Sequence, residues 1–414
     1  MLLQKLLQPF HRWRLALLLL TALSSPGVQA EENDAIKGTL VIIGGALRND
    51  NREVWSRIVD AAGGRHARIA VIPAASGDPE AAGKKAAVRL QAYGADAFVV
   101  PLSIRSKTHR AQDIASSKYW AEQIRRANGV YFTGGDQGRI TAALRTTDGG
   151  NSPMLDAIWQ IYRRGGVIAG SSAGAAIMST TMFFDAMPTF DMLKNGVQKG
   201  KEISAGLGFI GPGVFIDQHL IIRGRFARMI PAMQQAGYTL GLGIDENTAL
   251  VVREREHVEI VGYKGAILID LSTATSDSTR REFNISRVRL SYLDSGDRFN
   301  LSTGQLTPAA DKLQHPLDPD KPYFHGARFY PDILGNTTLT DLMFELIDSD
   351  QHEAIGLAFD HSKLREQGNG FEFRFYKTPD SIGYFSSTNG HESYSISRLA
   401  LDIRPVQMNA PLYQ

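Results

Sequence analysis

Short apolar runs recur through the first half of the chain, separated by stretches of helical spacing. Thr39 to Ile43 ends at Gly44-Gly45, Ile69 to Ile72 is stopped by Pro73, and Ala97 to Val100 by Pro101. Gly129 to Phe132 runs into Thr133-Gly134-Gly135-Asp136-Gln137, and Val167 to Ala169 into a serine pair flanked by glycines. Between these runs, Val54 to Ala62, the stretch holding Ala86 to Leu90, and Met154 to Arg163 read as helices. Unbroken apolar strands alternating with helices predict a parallel sheet covered on both faces. The fold class is therefore α/β, a doubly wound parallel sheet.

The pattern changes after Gly243. Thr248 to Arg253, Val258 to Val261 and Ala266 to Asp270 follow one another as strands with no helix between, and Arg287 to Leu293 alternates similarly. The tract Thr307 to Pro322 is rich in proline and charge and reads as a boundary. Beyond it, Thr337 to Ile347 has helical spacing, while Phe371 to Phe375 and Ser393 to Ile403 alternate with period two. A C-terminal α+β or β-rich appendage is expected there.

The N-terminus sets the compartment. Lys5, Arg12 and Arg14 precede the apolar run Leu15 to Leu20, Pro26-Gly27 breaks it, and Val28-Gln29-Ala30 offers small residues for cleavage. Charge, apolar length and cleavage chemistry together describe a signal peptide, and the run is shorter than the ~20 residues of a membrane anchor. The expected organisation is residues 1–30 as signal peptide, 31–307 as catalytic domain and 308–414 as accessory region. The expected product is secreted, in the periplasm or outside the cell, without stable membrane insertion. Without the leader, 42 Lys plus Arg face 43 Asp plus Glu. That balance argues against nucleic acid, which needs a basic surplus. The chain has no cysteine, which excludes a thiol nucleophile, an iron–sulfur site and a thiolate zinc site.

Gly170-Ser171-Ser172-Ala173-Gly174 carries the sharpest chemistry. It follows a buried strand and precedes the helix-like Ala175 to Met178, the context in which a nucleophile elbow presents its serine. A serine needs a base within hydrogen-bond reach. Of the later histidines, His315, His325, His352, His361 and His391 fall in the appendage and His257 in a charged turn. His219 closes the run Val214-Phe215-Ile216-Asp217-Gln218, at a strand end, where open α/β sheets place their sites. For the orienting carboxylate two candidates stand: Glu246, after the strand Leu242 to Ile244, and Asp217, which shares a strand face with His219 at i and i+2. Glu246 ranks first. Asp245 and Glu246 point oppositely on a continuing strand, so at most one reaches His219. With Glu246 the chain order is Ser, His, Glu, unlike the Ser, acid, His order of α/β-hydrolases. The Gly134-Gly135-Asp136-Gln137 turn is a natural oxyanion contributor.

Ile43-Gly44-Gly45, Thr133 to Gln137, Ala169 to Gly174, Asp217-Gln218-His219 and Gly243 to Glu246 stand in the order of cyanophycinases. From about Gly38 to Gln305 the chain resembles that family, which is similar in fold to S51 aspartyl dipeptidases and to flavodoxin-like class I glutamine amidotransferases. The resemblance implies a Ser172, His219, Glu246 triad and an oxyanion hole near Gly135 and Ala173. It further implies a substrate cleft lined by Gln137, Asp217, Gln218, Arg223, Arg225 and Arg228. It implies no metal or organic cofactor. The partner it implies is cyanophycin, a polyaspartate with arginine branches, cut to β-aspartyl-arginine through an acyl-enzyme; a homodimer is compatible with it. Arginines suit the free carboxylate of each branch, because their fork binds carboxylates bidentately. A periplasmic aspartyl dipeptidase of the same fold, and a catalytically dead exported binding protein, are the alternatives. The resemblance says nothing about the region after about Pro308.

Overall fold

In a computed structural model, residues 36–360, 368–388, 390 and 392–409 are described; the expected signal peptide, His361 and His391 lie outside them. The alternating strands of the sequence become β1 (Thr39–Ile43), β2 (Arg68–Ile72), β3 (Asp96–Val99), β4 (Gly129–Phe132) and β5 (Val167–Ser171). All pair in parallel, in the order β1-β5-β4-β2-β3. Alternate side chains go to opposite faces. Val41, Ile43 and Val71 meet the helices Arg52–Ala61 and Pro79–Ala92 on one side. Leu40, Ile42 and Ile72 meet Lys118–Arg125 and Pro153–Arg163 on the other. The helices start where the sequence caps them: Asn51, Asp78 and Ser152 each accept the backbone N–H three residues on, worth about 1 kcal/mol apiece. β3 is the exception to full burial, because it is the sheet edge.

A short ribbon follows, β6 (Thr181–Phe183) with β7 (Ile203–Ala205). The chain then alternates between two sheets. β8 (Val214–Gln218) and β9 (Leu240–Ile244) pair in parallel with each other and stay outside the first sheet. β10 (Thr248–Arg253) returns antiparallel to β1, and β11 (His257–Gly262) extends it. β12 (Ala266–Asp270) and β13 (Ile285–Leu293) add to β9 in the second sheet, whereas β14 (Arg298–Asn300) and β15 (Leu306–Thr307) finish the first. The C-terminal strands β16 (Arg328–Tyr330), β17 (Glu353–Ala358), β18 (Gly368–Tyr376), β19 (Ile382–Ser386) and β20 (Ser393–Met408) all belong to the second sheet, which β20 joins through β13.

The second sheet therefore crosses the boundary expected at residues 307/308, with β20 paired to β13. Phe371, Phe373 and Phe375 are buried on one face of β18, with Phe373 edge-on to Phe226 at 5.7 Å and Phe371 to Phe190 at 6.0 Å. The tract is rich in proline and charge, and its Lys312 is fully buried and pairs with Asp297 at 2.8 Å. Asp297 also accepts the Ala309 N–H at 2.8 Å and the Ser395 hydroxyl at 2.6 Å. A buried charge persists only when so partnered, and this one ties the tract to both neighbouring segments. No helix among the described residues is long and apolar enough to cross a membrane.

Candidate active site

β5 ends at Ser171, and Ser172 turns the chain with φ +55° and ψ −108° into the short helix Ala173–Ala176. A serine with positive φ is strained; the turn it makes projects the hydroxyl off the sheet. Gly170 and Gly174 allow it, since a Cβ on Gly170 would lie 2.5 Å from the Gly174 carbonyl carbon. The neighbouring Ile43-Gly44-Gly45 segment acts as a template. Its three successive carbonyls accept the N–H groups of Ser172 at 2.9 Å, His219 at 2.9 Å and Asn247, next to Glu246, at 2.8 Å. Gly45 must lack a side chain, because a Cβ there would overlap the His219 ring. The first sheet thus fixes three backbones that come from both sheets.

The three side chains form one hydrogen-bonded line. Ser172 Oγ is 2.9 Å from His219 Nε2, and His219 Nδ1 is 2.6 Å from Glu246 Oε1. His219 has φ +51° and its side chain is 8% exposed, against 20% for Glu246. Burial pushes the imidazole pKa below its ordinary 6.5; the Glu246 hydrogen bond works against that, and Arg223 and Arg225 add to it. The ring is consequently neutral near pH 7, the state in which Nε2 can take a proton from a hydroxyl. Serine, imidazole and carboxylate in this line can generate a nucleophile and store the resulting imidazolium. Asp245 turns the other way, accepting the Ile222 N–H at 3.2 Å.

Gly134 passes over the serine: a Cβ there would be 3.3 Å from Ser172 Cβ. That brings the Gly134-Gly135 turn and the Ala173 end of the short helix to the same hydroxyl. Gln137 opens the helix Gln137–Leu144 and donates to the Phe183 carbonyl at 2.7 Å. The arginines separate into distinct roles. Arg228 is buried, forked onto Asp217 at 3.0 and 3.1 Å, with its guanidinium 4.1 Å from the Phe183 ring. Asp217 and Arg228 occupy each other, so neither lines an open cleft as expected, and Asp217 is not the carboxylate on His219. Arg225 Nη1 donates to the Gln218 carbonyl at 2.8 Å and to its side chain at 3.0 Å; burial lowers its pKa to about 10. Arg223 is half-exposed, 3.9 Å from Glu246 Oε1.

With this geometry in place, the comparison with known families is decisive: residues 40–260 match the model of peptidase family S51. The chain belongs to peptidase family S51. The cyanophycinase of Geminocystis herdmanii (strain PCC 6308) is 31% identical over 281 residues, 65% of this chain and 96% of its own. That of Trichormus variabilis (strain ATCC 29413 / PCC 7937) is 29% identical over 298 residues, 70% of this chain and 95% of its own. The crystal structure of a peptidase from an acI-B1 Actinobacterium aligns at 21% identity with a TM-score of 0.46, over 65% of this chain and 98% of its own.

Two features of this S51 peptidase have no counterpart in its sequence motifs. Asn247 is clamped by Asn51, whose Nδ2 donates to the Asn247 carbonyl at 2.9 Å and to its Oδ1 at 3.0 Å. Both asparagines are buried, and the clamp steadies the residue beside Glu246. The β6 end brings Phe183 between Gln137 and Arg228, leaving Phe184 exposed against Gly138. The Phe183-Phe184 pair was the available signal, but neither period nor spacing marked it.

Proposed function

We propose that this peptidase is an exported cyanophycinase using Ser172 as nucleophile, His219 as base and Glu246 as the orienting acid. The observation that carries the reading is the hydrogen-bonded line Ser172–His219–Glu246 with arginines beside it, in a chain whose relatives are named cyanophycinases. His219 Nε2 takes the Ser172 proton as Oγ attacks the main-chain carbonyl carbon of an aspartyl unit. The N–H groups of Gly135 and Ala173 receive the developing oxyanion, each such donor being worth about 3–4 kcal/mol in the transition state. The peptide C–N bond then breaks, with the His219 proton going to the leaving amine. Water, deprotonated by the same imidazole, cleaves the ester and restores the hydroxyl. The products are β-aspartyl-arginine dipeptides.

Arg223 and Arg225 are assigned to the free carboxylate of the arginine branch, with Gln137 and Gln218 as polar partners. Asp217 and Arg228 support this set from beneath through their closed ion pair. The basic, apolar and small-residue stretches of residues 1–30 support export, which suits digestion of polymer released by other cells. Purified polymer incubated with the mature protein, followed by mass spectrometry, tests the reading: β-aspartyl-arginine should accumulate. Release of free arginine without the dipeptide, or cleavage of simple aspartyl dipeptides alone, would refute it.

A further inference from the structure

The C-terminal region comes close to the arginine loop at Gly224. Gly224, between Arg223 and Arg225, is buried with φ +55°. A Cβ there would overlap the Leu334 carbonyl oxygen and lie 2.9 Å from Leu334 Cα and 3.0 Å from its carbonyl carbon. Leu334 comes from the connection between β16 and the helix Thr338–Ile347, beyond residue 260, where the family match ends. The connection is itself anchored. The Ile333 N–H donates to the Leu357 carbonyl of β17 at 2.8 Å. Its fully buried side chain fills the space left by Gly356, where a Cβ would be 2.8 Å from Ile333 Cβ. The line from β17 to Ile333, to the Leu334 backbone and to Gly224 thus ends between the two arginines nearest His219. On the inner side the loop is held by the Arg225 N–H on the Leu220 carbonyl at 2.8 Å and by Arg225 Nη1, which donates to both oxygens of Gln218.

We infer that the loop around Ile333 and Leu334 is a specificity-determining brace, which presses on Gly224 and sets Arg223 and Arg225 for the carboxylate of the substrate branch. Ile333 and Gly224 are positioning residues, since neither reaches the reacting atoms. The inference rests on the cyanophycinase reading for the identity of that carboxylate. A bidentate contact depends on where the guanidinium is held, and misplacement by about 1 Å can cost a hundredfold in reaction rate. Ser172, His219 and Asn247, the neighbour of Glu246, are held separately, by the carbonyls of Ile43, Gly44 and Gly45. Disturbing the brace therefore weakens substrate capture and leaves the nucleophile intact.

The test compares Gly224→Ala, Ile333→Ala and the conservative Ile333→Val. Kinetics on soluble cyanophycin oligomers are measured beside the rate of Ser172 labelling by a fluorophosphonate, which needs the triad but offers no carboxylate. The expected result is a KM raised tenfold or more for Gly224→Ala and severalfold for Ile333→Ala. Labelling should stay within twofold of the unsubstituted protein, and Ile333→Val should recover most of the KM. Should one alanine variant fail to fold, the other carries the same comparison. An unchanged KM, or KM and labelling lost in parallel, would overturn the brace while leaving the cyanophycinase reading intact. An unsubstituted protein that labels at Ser172 but does not cleave the oligomers would overturn that reading, and the brace with it.

Discussion

The two sheets contribute to the site in different ways. The first is parallel at its centre, covered by helices on both faces, and built from β1 to β5 in uninterrupted chain order before β10 closes on β1. It delivers Ser172 and the carbonyl template of Ile43, Gly44 and Gly45. The second is largely antiparallel and assembled from distant segments: β13 meets β20 with Ile285 opposite Ile403 and Tyr292 opposite Ile396. It delivers His219, Glu246 and the arginine loop from the ends of β8 and β9. Ser172 and His219 therefore come from independently built layers, joined by hydrogen bonds to one short segment. The strands described after residue 307 all join the second layer.

Cutting the chain after Thr307 breaks the comparison most severely. It removes β16 to β20 and with them Phe371, Phe373 and Phe375, each worth about 1.5–3 kcal/mol when fully buried. Three such losses rival a typical net stability of about 5–15 kcal/mol, so the truncated protein should be unfolded or insoluble by circular dichroism and sedimentation. A soluble, cooperatively melting fragment would show that the first layer carries the fold alone. Next in size, Glu246→Gln should lower kcat by roughly 10²–10⁴-fold, as loss of the acid does in other triads, with little change in Tm. Asp217→Asn should do the reverse, because it leaves Arg228 buried without its counter-charge, a loss of about 3 kcal/mol. If kcat fell for Asp217→Asn and held for Glu246→Gln, the acid would have been misassigned.

Smaller effects separate binding from proton transfer. Arg225→Lys keeps the charge but not the planar fork, so KM should rise about tenfold while kcat changes less, since lysine replaces a fork by a point charge. Equal KM values would mean that Arg225 only secures Gln218. The smallest expected effect is on pH dependence. Protonating His219 removes the base, so fluorophosphonate labelling should fall as pH drops, with a midpoint below the ordinary 6.5 because burial depresses that pKa. Arg223→Gln removes one cation that adds to the depression, so the midpoint should move upward. A downward shift would contradict the placement of Arg223 beside Glu246.

The difference between the layers also governs what the sequence discloses. The parallel strands β1 to β5 of the first sheet are legible because each is a short apolar run alternating with helices, and Ser172 because its turn follows such a run. Only the edge position of β3 escapes that pattern. The alternation of Phe371 to Phe375 correctly indicates a strand, but its partner is unreadable: Phe373 pairs with Ile403, and β20 with β13, across gaps that no local period spans. Lys312 shows the same limit, since a buried lysine and a linker lysine look alike until Asp297 is brought to it. At the site, the shared-face rule made Asp217 a candidate for His219. That rule holds only along a continuing strand, and the positive φ of His219 ends the strand there, turning the imidazole to Glu246 while Asp217 keeps to Arg228.

As proposed above, Ser172 on the first layer, activated by His219 and Glu246 on the second, opens the main chain of an arginine-bearing polyaspartate. Mass spectrometry of polymer digests prepared with the mature protein, Ser172→Ala and Ser171→Ala tests it most directly. The expected result is β-aspartyl-arginine from the unsubstituted protein and from Ser171→Ala, and roughly a million-fold less or none from Ser172→Ala, as for other triad serines. Undiminished dipeptide release by Ser172→Ala, or its loss in Ser171→Ala instead, would contradict the account.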